Sequence, residues 1–265
     1  MDEIKIVELK ESILEDNNKD ADLLRTQLRK KGIFLINLMS APGSGKTTML
    51  VNLKKLLENG INLSVLEADI DSDTDAKTML ENGINAVQLH TGGMCHLDAD
   101  MTRQGINALE EYCKNKNEKY SKTANLVQNT IKNNSNSVKN SKFSINSKND
   151  VSGIVVLENI GNLVCPAEYD TGAFKNVAIL SVPEGDDKPV KYPLMFSVVD
   201  LVLISKIDTL EYFDFDIKKC EEQIHKLNKN AKVILISSVT GEGYEELAKT
   251  IANYYKDWVG SNGKS

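Results

Sequence analysis

The chain contains 265 residues, enough for one large domain or two small ones, and its 41% hydrophobic and 26% charged residues are typical of a globular protein. Its net charge of -6 gives no general attraction to nucleic acid or anionic lipid. No apolar run approaches the roughly 18 residues of a membrane span. The acidic start MDEIKIVELK is unlike a signal peptide, and four scattered cysteines are too few for a disulfide scaffold. We therefore expect a cytoplasmic protein without nucleic-acid or membrane partners.

Seven short apolar runs alternate with helical patterns, which is the order of a doubly wound α/β sheet with mainly parallel strands. The predicted strands cover 33–39, 62–68, 86–89, 153–157, 177–182, 201–205 and 232–236. The predicted helices cover 46–58, 100–113, 217–227 and 244–255. Residues 1–31 predict a helical segment before the sheet, and residues 32–262 predict a single domain.

One segment, 114–150, interrupts that domain. Its 37 residues include 10 Asn, 8 Lys and 6 Ser, and they hold too few apolar side chains to offset the entropy of ordering them. We expect a low-complexity, disordered insertion whose basic side chains are solvated.

The first predicted strand runs directly into S-A-P-G-S-G-K-T, and a helical pattern follows. This is the P-loop pattern G-x-x-x-x-G-K-[ST], except that Ser40 replaces the first glycine. The other glycines let successive backbone N–H groups face a phosphate, and the following helix adds its dipole. Lys46 is expected to reach the β- and γ-phosphates, and the Thr47 hydroxyl to bind Mg²⁺. The predicted nucleotide-binding residues of this loop are Gly43, Ser44, Gly45, Lys46, Thr47 and Thr48.

Acidic side chains follow two further strands, where a P-loop protein holds magnesium and positions water. The second strand runs into L-E-A-D-I-D-S-D-T-D, which supplies Asp69, Asp71, Asp73 and Asp75. A helix cap or first-turn charge is the simpler interpretation of Asp71 and Asp73. Glu158 ends a later strand, in the position of a Walker B acid.

Two loops in the last third of the chain predict a guanine site. L-V-L-I-S-K-I-D resembles the [NT]-K-x-D signature of GTPases, and S-S-V-T-G-E-G resembles the S-A-x-T-G-E-G loop that supports the base. The Asp208 carboxylate is expected to accept hydrogen bonds from guanine N1–H and N2–H₂, a donor pair that adenine lacks. Ser205 replaces the usual Asn and leaves one contact to the base open. The residues predicted to bind the base are Lys206, Asp208, Ser237 and Ser238.

Thiol and imidazole side chains form a third group. H-T-G-G-M-C-H places Cys95 beside His96, and Cys165 lies in N-L-V-C-P. Thiolate and imidazole together suit Zn²⁺, Ni²⁺ or copper. An adjacent Cys–His pair is a weak signal alone, since a free cysteine is often simply buried. Cys113 and Cys220 fall in predicted helices without a neighbouring ligand.

Taken together, these motifs resemble the HypB family of GTP-hydrolysing nickel-insertion proteins of [NiFe] hydrogenase maturation. The resemblance covers about 23–114 and 151–255. It depends on MSAPGSGKTT, GGMCHLDADM, ENIGNLVCPAEYD and SVPEGDDKPVKYPLMF followed by SKID.

The resemblance implies a P-loop GTPase of the class that dimerises around nucleotide. GTP and Mg²⁺ would bind in the nucleotide site, and Ni²⁺ or Zn²⁺ at a dimer-interface site made of Cys95, His96 and Cys165. GTP binding and hydrolysis would gate dimerisation and metal transfer. The implied partners are a second copy of the chain, a HypA-like nickel-binding protein and the hydrogenase large subunit.

The same resemblance assigns roles to the acidic residues. Thr47, Asp69 and Glu158 would hold Mg²⁺, some of them through water. Asp75 would orient or activate the attacking water, so Asp75 and Lys46 are the predicted catalytic residues.

Three other functions are compatible with parts of the sequence. A UreG-like nickel GTPase for urease shares the P-loop and a Cys–His pairing, but the Cys-Pro-His of that family is absent. A regulatory GTPase would use the same cysteines and histidine for a structural zinc. A small-molecule kinase would share only the P-loop.

Overall fold

The computed structural model of the protein describes residues 9–57, 60–68, 74–134 and 151–262. Its strands are β1 (Ile33–Ser40), β2 (Leu63–Glu67), β3 (Asn85–Gln88), β4 (Gly153–Glu158), β5 (Lys175–Ser181), β6 (Leu201–Ser205) and β7 (Lys232–Ile236). Its helices are α1 (Leu9–Lys31), α2 (Lys46–Leu56), α3 (Thr74–Glu81), α4 (Ala99–Asn134), α5 (Cys165–Glu168), α6 (Lys188–Lys191), α7 (Pro193–Val198), α8 (Ile217–Leu227) and α9 (Tyr244–Asn262). Two 3₁₀ helices cover Val182–Glu184 and Ile207–Tyr212.

The seven strands form one parallel sheet in the order β3-β2-β4-β1-β5-β6-β7. From β1 the chain crosses to one side for β2 and β3. It then returns to place β4 beside β1 and continues to the other side with β5. Such a reversal opens a crevice at the carboxyl ends of the central strands. The predicted parallel α/β fold is confirmed.

Both faces of the sheet are covered by helices, so every residue of β1 and β4 is buried. Alternate side chains of β1 enter different cores, because successive residues of a strand point to opposite faces. Phe34 and Ile36 pack in the core that contains α2, α3 and α9. Ile33 and Leu35 pack in the core that contains α1 and α4. Helices α7 and α8 cover the same second face over β5 and β6.

Helix α1 lies against the sheet and is part of its core. Its residues Ala21, Leu24 and Leu28 are almost fully buried. Arg25 Nη2 donates to both carboxylate oxygens of Asp170, at 2.6 and 2.8 Å. The predicted N-terminal helical segment therefore packs on the domain that follows it, while residues 1–8 lie outside the described part of the chain.

Helix α4 extends well beyond its predicted end. We expected order to stop at residue 113, whereas the helix continues to Asn134. Once α4 is nucleated by packing against β2 and β3, adding further turns fixes only one residue per hydrogen bond. Residues 135–150, the rest of the predicted insertion, lie outside the described residues.

Helix α3 and the short helices between β5 and β6 were not among the predicted elements. The segment 182–198 contains three prolines and a glycine, residues that usually mark turns and loops. Helices α6 and α7 instead carry a proline in their first turn, where its missing N–H removes no helical hydrogen bond. In the part of the chain that the structure describes, no helix has the length and apolarity needed to cross a membrane.

Gly243, at the turn between β7 and α9, has no room for a side chain. Its φ is +76°, and a Cβ built there would lie 1.8 Å from the Leu235 carbonyl oxygen. Gly83 has nearly the same backbone angle, φ +75°, but open space where the Cβ would be. The pair separates the cost of the backbone conformation from the cost of the collision.

We predict that Gly243→Ala lowers the free energy of unfolding by about 3 kcal/mol or more, because the backbone around Leu235 must move. Gly83→Ala is expected to cost only about 1–2 kcal/mol, the strain of a left-handed alanine. Urea unfolding of the two variants and the wild type measures both values. Equal decreases in the free energy of unfolding would mean that the loop at Gly243 rearranges without cost to accommodate the added methyl group.

Candidate functional site

The carboxyl ends of the central strands surround an open cavity of about 310 Å³. Its walls come from the P-loop, the end of β2, the first turn of α3, and the loop that follows β4. The residues that line it are Pro42, Gly43, Gly45, Lys46, Thr47, Ala68, Asp75, Glu158, Asn159 and Gly161. The structure therefore brings together six of the predicted site residues, from three separate parts of the sequence.

The P-loop has the backbone conformation that a phosphate cradle requires. Gly43 and Gly45 have φ of +74° and +97°, which side-chain-bearing residues rarely adopt. Helix α2 begins at Lys46, and no side chain caps its first turn. The first backbone N–H groups of α2 therefore have no partner within the helix and lie at the cavity end of the loop. Among the residues of this first turn, Thr47 is half-buried and Thr48 is exposed.

Ser40, which replaces the first glycine of the P-loop pattern, is fully buried at the end of β1. Its hydroxyl accepts hydrogen bonds from Ser44 Oγ at 2.8 Å and from Lys46 Nζ at 2.9 Å, and it donates to the Ala41 carbonyl. This departure from the pattern therefore fastens the loop internally.

Lys46 and Glu158 form an ion pair across the cavity, with Nζ and Oε1 3.7 Å apart. Their side chains are only 11% and 7% exposed, so solvent screens the pair weakly. The lysine ammonium is thereby held where a phosphate would replace the carboxylate as its partner. Asp75 lies in the first turn of α3 and lines the same cavity. Asp69, Asp71 and Asp73 lie outside the described residues.

A chain of three side-chain amides, of which Asn37 and Asn159 are buried, ties the loop after β4 to the sheet. The Asn159 amide donates to Asn37 Oδ1 at 3.0 Å, and the Asn37 amide donates to Asn176 Oδ1 at 3.0 Å. The Asn159 side chain also accepts from the backbone N–H of Ile160. This network was not predicted from the sequence. Its only signal was Asn37, a polar residue inside the apolar run of β1.

The two predicted base-recognition loops lie next to each other and next to the P-loop. Asp208 accepts a hydrogen bond from Ser237 Oγ at 2.5 Å, which joins the loop after β6 to the loop after β7. Ser205 Oγ donates to the Ser44 carbonyl at 2.8 Å, and Lys206 Nζ donates to the Gly43 carbonyl at 2.7 Å. Ser205, which replaces the usual Asn of the signature, therefore binds the P-loop.

Backbone strain accompanies these contacts. Lys206 has φ of +60°, which is the one positive value found for a non-glycine among the described residues. Such strain persists where the surrounding structure fixes the residue, and it is concentrated at functional sites. Ser238 makes a different contact, with its hydroxyl 2.6 Å from the Tyr244 hydroxyl.

The candidate metal-binding residues lie on two loops of the same sheet edge. Cys95 and His96 lie between β3 and α4, and Cys165 is the first residue of α5. Cys95 is exposed and Cys165 half-buried. The Cys95 Sγ is 3.9 Å from the adjacent His96 Nδ1. The His96 ring stacks on the Tyr169 ring, with 3.6 Å between centroids and 11° between planes, so the two loops touch.

The titration of these groups reflects their contacts. A hydrogen bond with Cys165 raises the pKa of Cys95, and burial adds to the effect. Burial lowers the pKa of His96, against the opposing charges of Asp98 and Glu168. The structure thus pairs Cys95 with Cys165 and with His96, but among the described residues no three His, Cys, Asp or Glu side chains are arranged to hold a metal ion by themselves.

Cys113 and Cys220 are buried, and burial raises the pKa of Cys220 to about 12. Of the two interpretations that their sequence positions allow, core or surface thiols, the structure supports core thiols.

The phosphate loop and the Cys165 loop are in direct contact. A Cβ built on Gly161 would lie 2.8 Å from the Pro42 ring. Pro42 belongs to the P-loop, and Gly161 precedes Cys165 by four residues. The P-loop and the loop that leads to the candidate metal ligand Cys165 are therefore in van der Waals contact.

Comparison with known proteins agrees with this geometry. The family model "CobW/HypB/UreG, nucleotide-binding domain" matches residues 34–235. The hydrogenase maturation factor HypB of Azotobacter chroococcum is 36% identical over 242 residues, which are 91% of this chain and 67% of that protein. The hydrogenase/urease maturation factor HypB of Helicobacter pylori is 35% identical, with 91% of this chain and 85% of that protein covered.

Among solved structures, the crystal structure of HypB from Helicobacter pylori in complex with nickel superposes with a TM-score of 0.74 and 32% identity. The superposition covers 91% of this chain and 96% of that chain. The family model, the relatives and the superposition all point to one group of proteins. The chain belongs to the CobW/HypB/UreG family and, within it, to the HypB hydrogenase maturation factors.

Proposed function

We propose that the protein is a GTP-hydrolysing nickel carrier that delivers nickel during [NiFe] hydrogenase maturation. The observation that carries the proposal is the contact between Pro42 of the P-loop and Gly161 of the loop that leads to Cys165. Through this contact, a shift of the P-loop on nucleotide binding would reach the loop that leads to Cys165. The names of the relatives, hydrogenase maturation factors and a nickel complex, supply the cargo and the client.

GTP is the proposed substrate. Its phosphates would occupy the cradle of 43–47 and take Lys46 away from Glu158, because a γ-phosphate carries more negative charge than one carboxylate. Asp208, already fixed by Ser237, would accept from the two donors on the guanine edge. The Lys206 stem would lie over the ring.

The acidic residues fit Mg²⁺, which binds hard oxygen ligands and several waters. Thr47 and Glu158 line one cavity, and with Asp69 they would hold the ion. Bound there, Mg²⁺ would neutralise charge that develops between the β- and γ-phosphates. Asp75, on the wall of the same cavity, would orient the attacking water.

Nickel is the proposed cargo of Cys95, His96 and Cys165. The donor set is two thiols and one imidazole, which suits Ni²⁺ and Zn²⁺ alike. The contacts of Cys95 with Cys165 and His96 support their convergence. The described geometry is incomplete for one chain, which favours a site completed by a second copy.

GTP would order the loops around the cavity, bring two copies together and alter the nickel site. Hydrolysis would remove the γ-phosphate contacts and relax the dimer, so that nickel passes to its acceptor. The proposed partners are a HypA-like nickel-binding protein and the hydrogenase large subunit, in the cytoplasm.

Asp208→Asn is expected to change the base that the protein accepts. The amide oxygen still accepts from Ser237, but the side chain no longer accepts from both guanine donors. Two hydrogen bonds to a charged group are worth roughly 3 kcal/mol, so GTP affinity should fall about 100-fold. Xanthosine triphosphate, which carries a carbonyl where guanine has its amino group, should bind better to the variant than GTP does.

Asp216→Asn is the matched control. Asp216 caps α8 through the Lys219 N–H, and asparagine caps equally well. Isothermal titration of both variants with GTP, xanthosine triphosphate and ATP measures the effect. Unchanged GTP affinity in the Asp208 variant would remove the base assignment, and ATP binding at GTP strength would favour a small-molecule kinase.

Nickel binding should depend on the nucleotide. We expect metal-free protein, titrated with Ni²⁺ and followed by thiolate-to-nickel absorption, to differ in affinity or stoichiometry between GDP and a non-hydrolysable GTP analogue. Light scattering should report dimers with the analogue. Cys95→Ala should abolish the absorption band, because its thiolate is a ligand.

Met94→Ala serves as the control, since Met94 is the exposed neighbour of Cys95 and has no ligand role at the proposed site. Identical titrations in both nucleotide states would contradict gating. If metal removal also unfolded the protein, a regulatory GTPase with structural zinc would replace the present proposal.

A further inference from the structure

One side chain of helix α1 connects the two loops that carry the candidate nickel ligands. The Asn17 amide oxygen accepts a hydrogen bond from the backbone N–H of Ala99 at 3.0 Å. The amide nitrogen donates to the backbone carbonyl of Asp170, also at 3.0 Å. Asn17 is 82 residues from one partner and 153 from the other, so these are tertiary contacts.

Both partners lie close to the nickel site in sequence and in space. Ala99 begins α4, three residues after His96. Asp170 follows Tyr169, whose ring stacks on the His96 ring. A change in either hydrogen bond of Asn17 therefore displaces backbone within three residues of this stack.

Each neighbouring ion pair of α1 contacts only one of these two regions, either α4 or the segment that contains Asp170. Asp20 pairs with Arg103 of α4, and Arg25 pairs with Asp170. Neither ion pair joins the two loops. Asn17 differs because its donor and its acceptor point to different loops.

The chemistry of the bridge requires an amide of this length. Aspartate has the same shape and still accepts from Ala99, but it would place a carboxylate oxygen against the Asp170 carbonyl. Alanine makes neither hydrogen bond. The two substitutions thus break one side or both sides of the bridge.

We propose that Asn17 is a positioning residue of the nickel site, which fixes the Cys95–His96 loop relative to the Cys165 loop. This inference rests on the proposed function, which makes those three side chains nickel ligands. It assigns the N-terminal helix to the scaffold of the metal site.

The test is Ni²⁺ titration of the metal-free 265-residue chain, followed by thiolate-to-nickel absorption, with thermal unfolding recorded in parallel. Asn17→Asp should weaken nickel binding about tenfold, the lower range for groups that orient metal ligands, and should alter the position or intensity of the band. Where the aspartate variant does not fold, Asn17→Ala carries the same test without an added charge.

Asp20→Asn is the matched control, because it weakens an α1–α4 contact without touching the bridge. It should lower the unfolding temperature and leave nickel affinity within about twofold. Nickel affinity and absorption unchanged in a folded Asn17 variant, with only its unfolding temperature lowered, would overturn the positioning role.

Cys95→Ala separates this inference from the proposal beneath it. Loss of nickel binding in Cys95→Ala together with wild-type binding in the Asn17 variants would overturn the inference alone. Wild-type nickel binding in Cys95→Ala, or none in the unmodified protein, would overturn the proposed function and the inference together.

Discussion

Burial of a parallel sheet on both faces is the constraint on which the rest of the structure depends. Because helices cover each face, the strands offer no exposed surface for chemistry, and the candidate functional groups lie at one edge of the sheet, in its loops and in the ends of the strands and helices that border them. The strand order then decides which loops meet. With β4 inserted between β2 and β1, the P-loop, the end of β2 and Glu158 are brought to one crevice. The strand order alone thus places the cavity, and the polar residues that line it determine what the cavity can bind.

Polar side chains between the loops make the edge a connected unit. Ser205 and Lys206 donate hydrogen bonds to carbonyls of the P-loop, so the end of β6 and the loop after it are fixed to the P-loop. The Asn37–Asn159 contact does the same beneath the loop after β4. Buried hydrogen bonds of this kind are costly to leave unmade, which favours a few discrete loop arrangements over gradual deformation. A protein that switches between nucleotide states needs such distinct loop arrangements.

Most of the fold follows from the sequence because its signals are local. An apolar run buried on both faces, as in β1, is visible without knowledge of its neighbours. The P-loop glycines and the paired loops around Asp208 also carry their spacing within a few residues. What the sequence hides is whatever depends on distant partners. The bond of Ser205 to the P-loop, the bridge at Asn17 and the ion pair of Lys46 with Glu158 each join separate segments. The end of α4 was mistaken for a related reason, since composition describes average behaviour and not the propagation of a helix nucleated by packing.

Under the proposed function, coupling between nucleotide and nickel is reciprocal: nickel changes GTP affinity by the same factor by which GTP changes nickel affinity. The same contacts must therefore respond to either ligand. The loop of 159–165 meets this requirement, because Asn159 and Gly161 line the nucleotide cavity while Cys165 ends the loop. Its two ends are anchored differently. The amide network holds the first end to the sheet, and contacts to α1 hold the chain beyond Cys165. Under the proposed function, a loop fixed at both ends would carry a displacement of Pro42 to the Cys165 thiol, and the N-terminal helix would contribute to coupling although it lines none of the cavity.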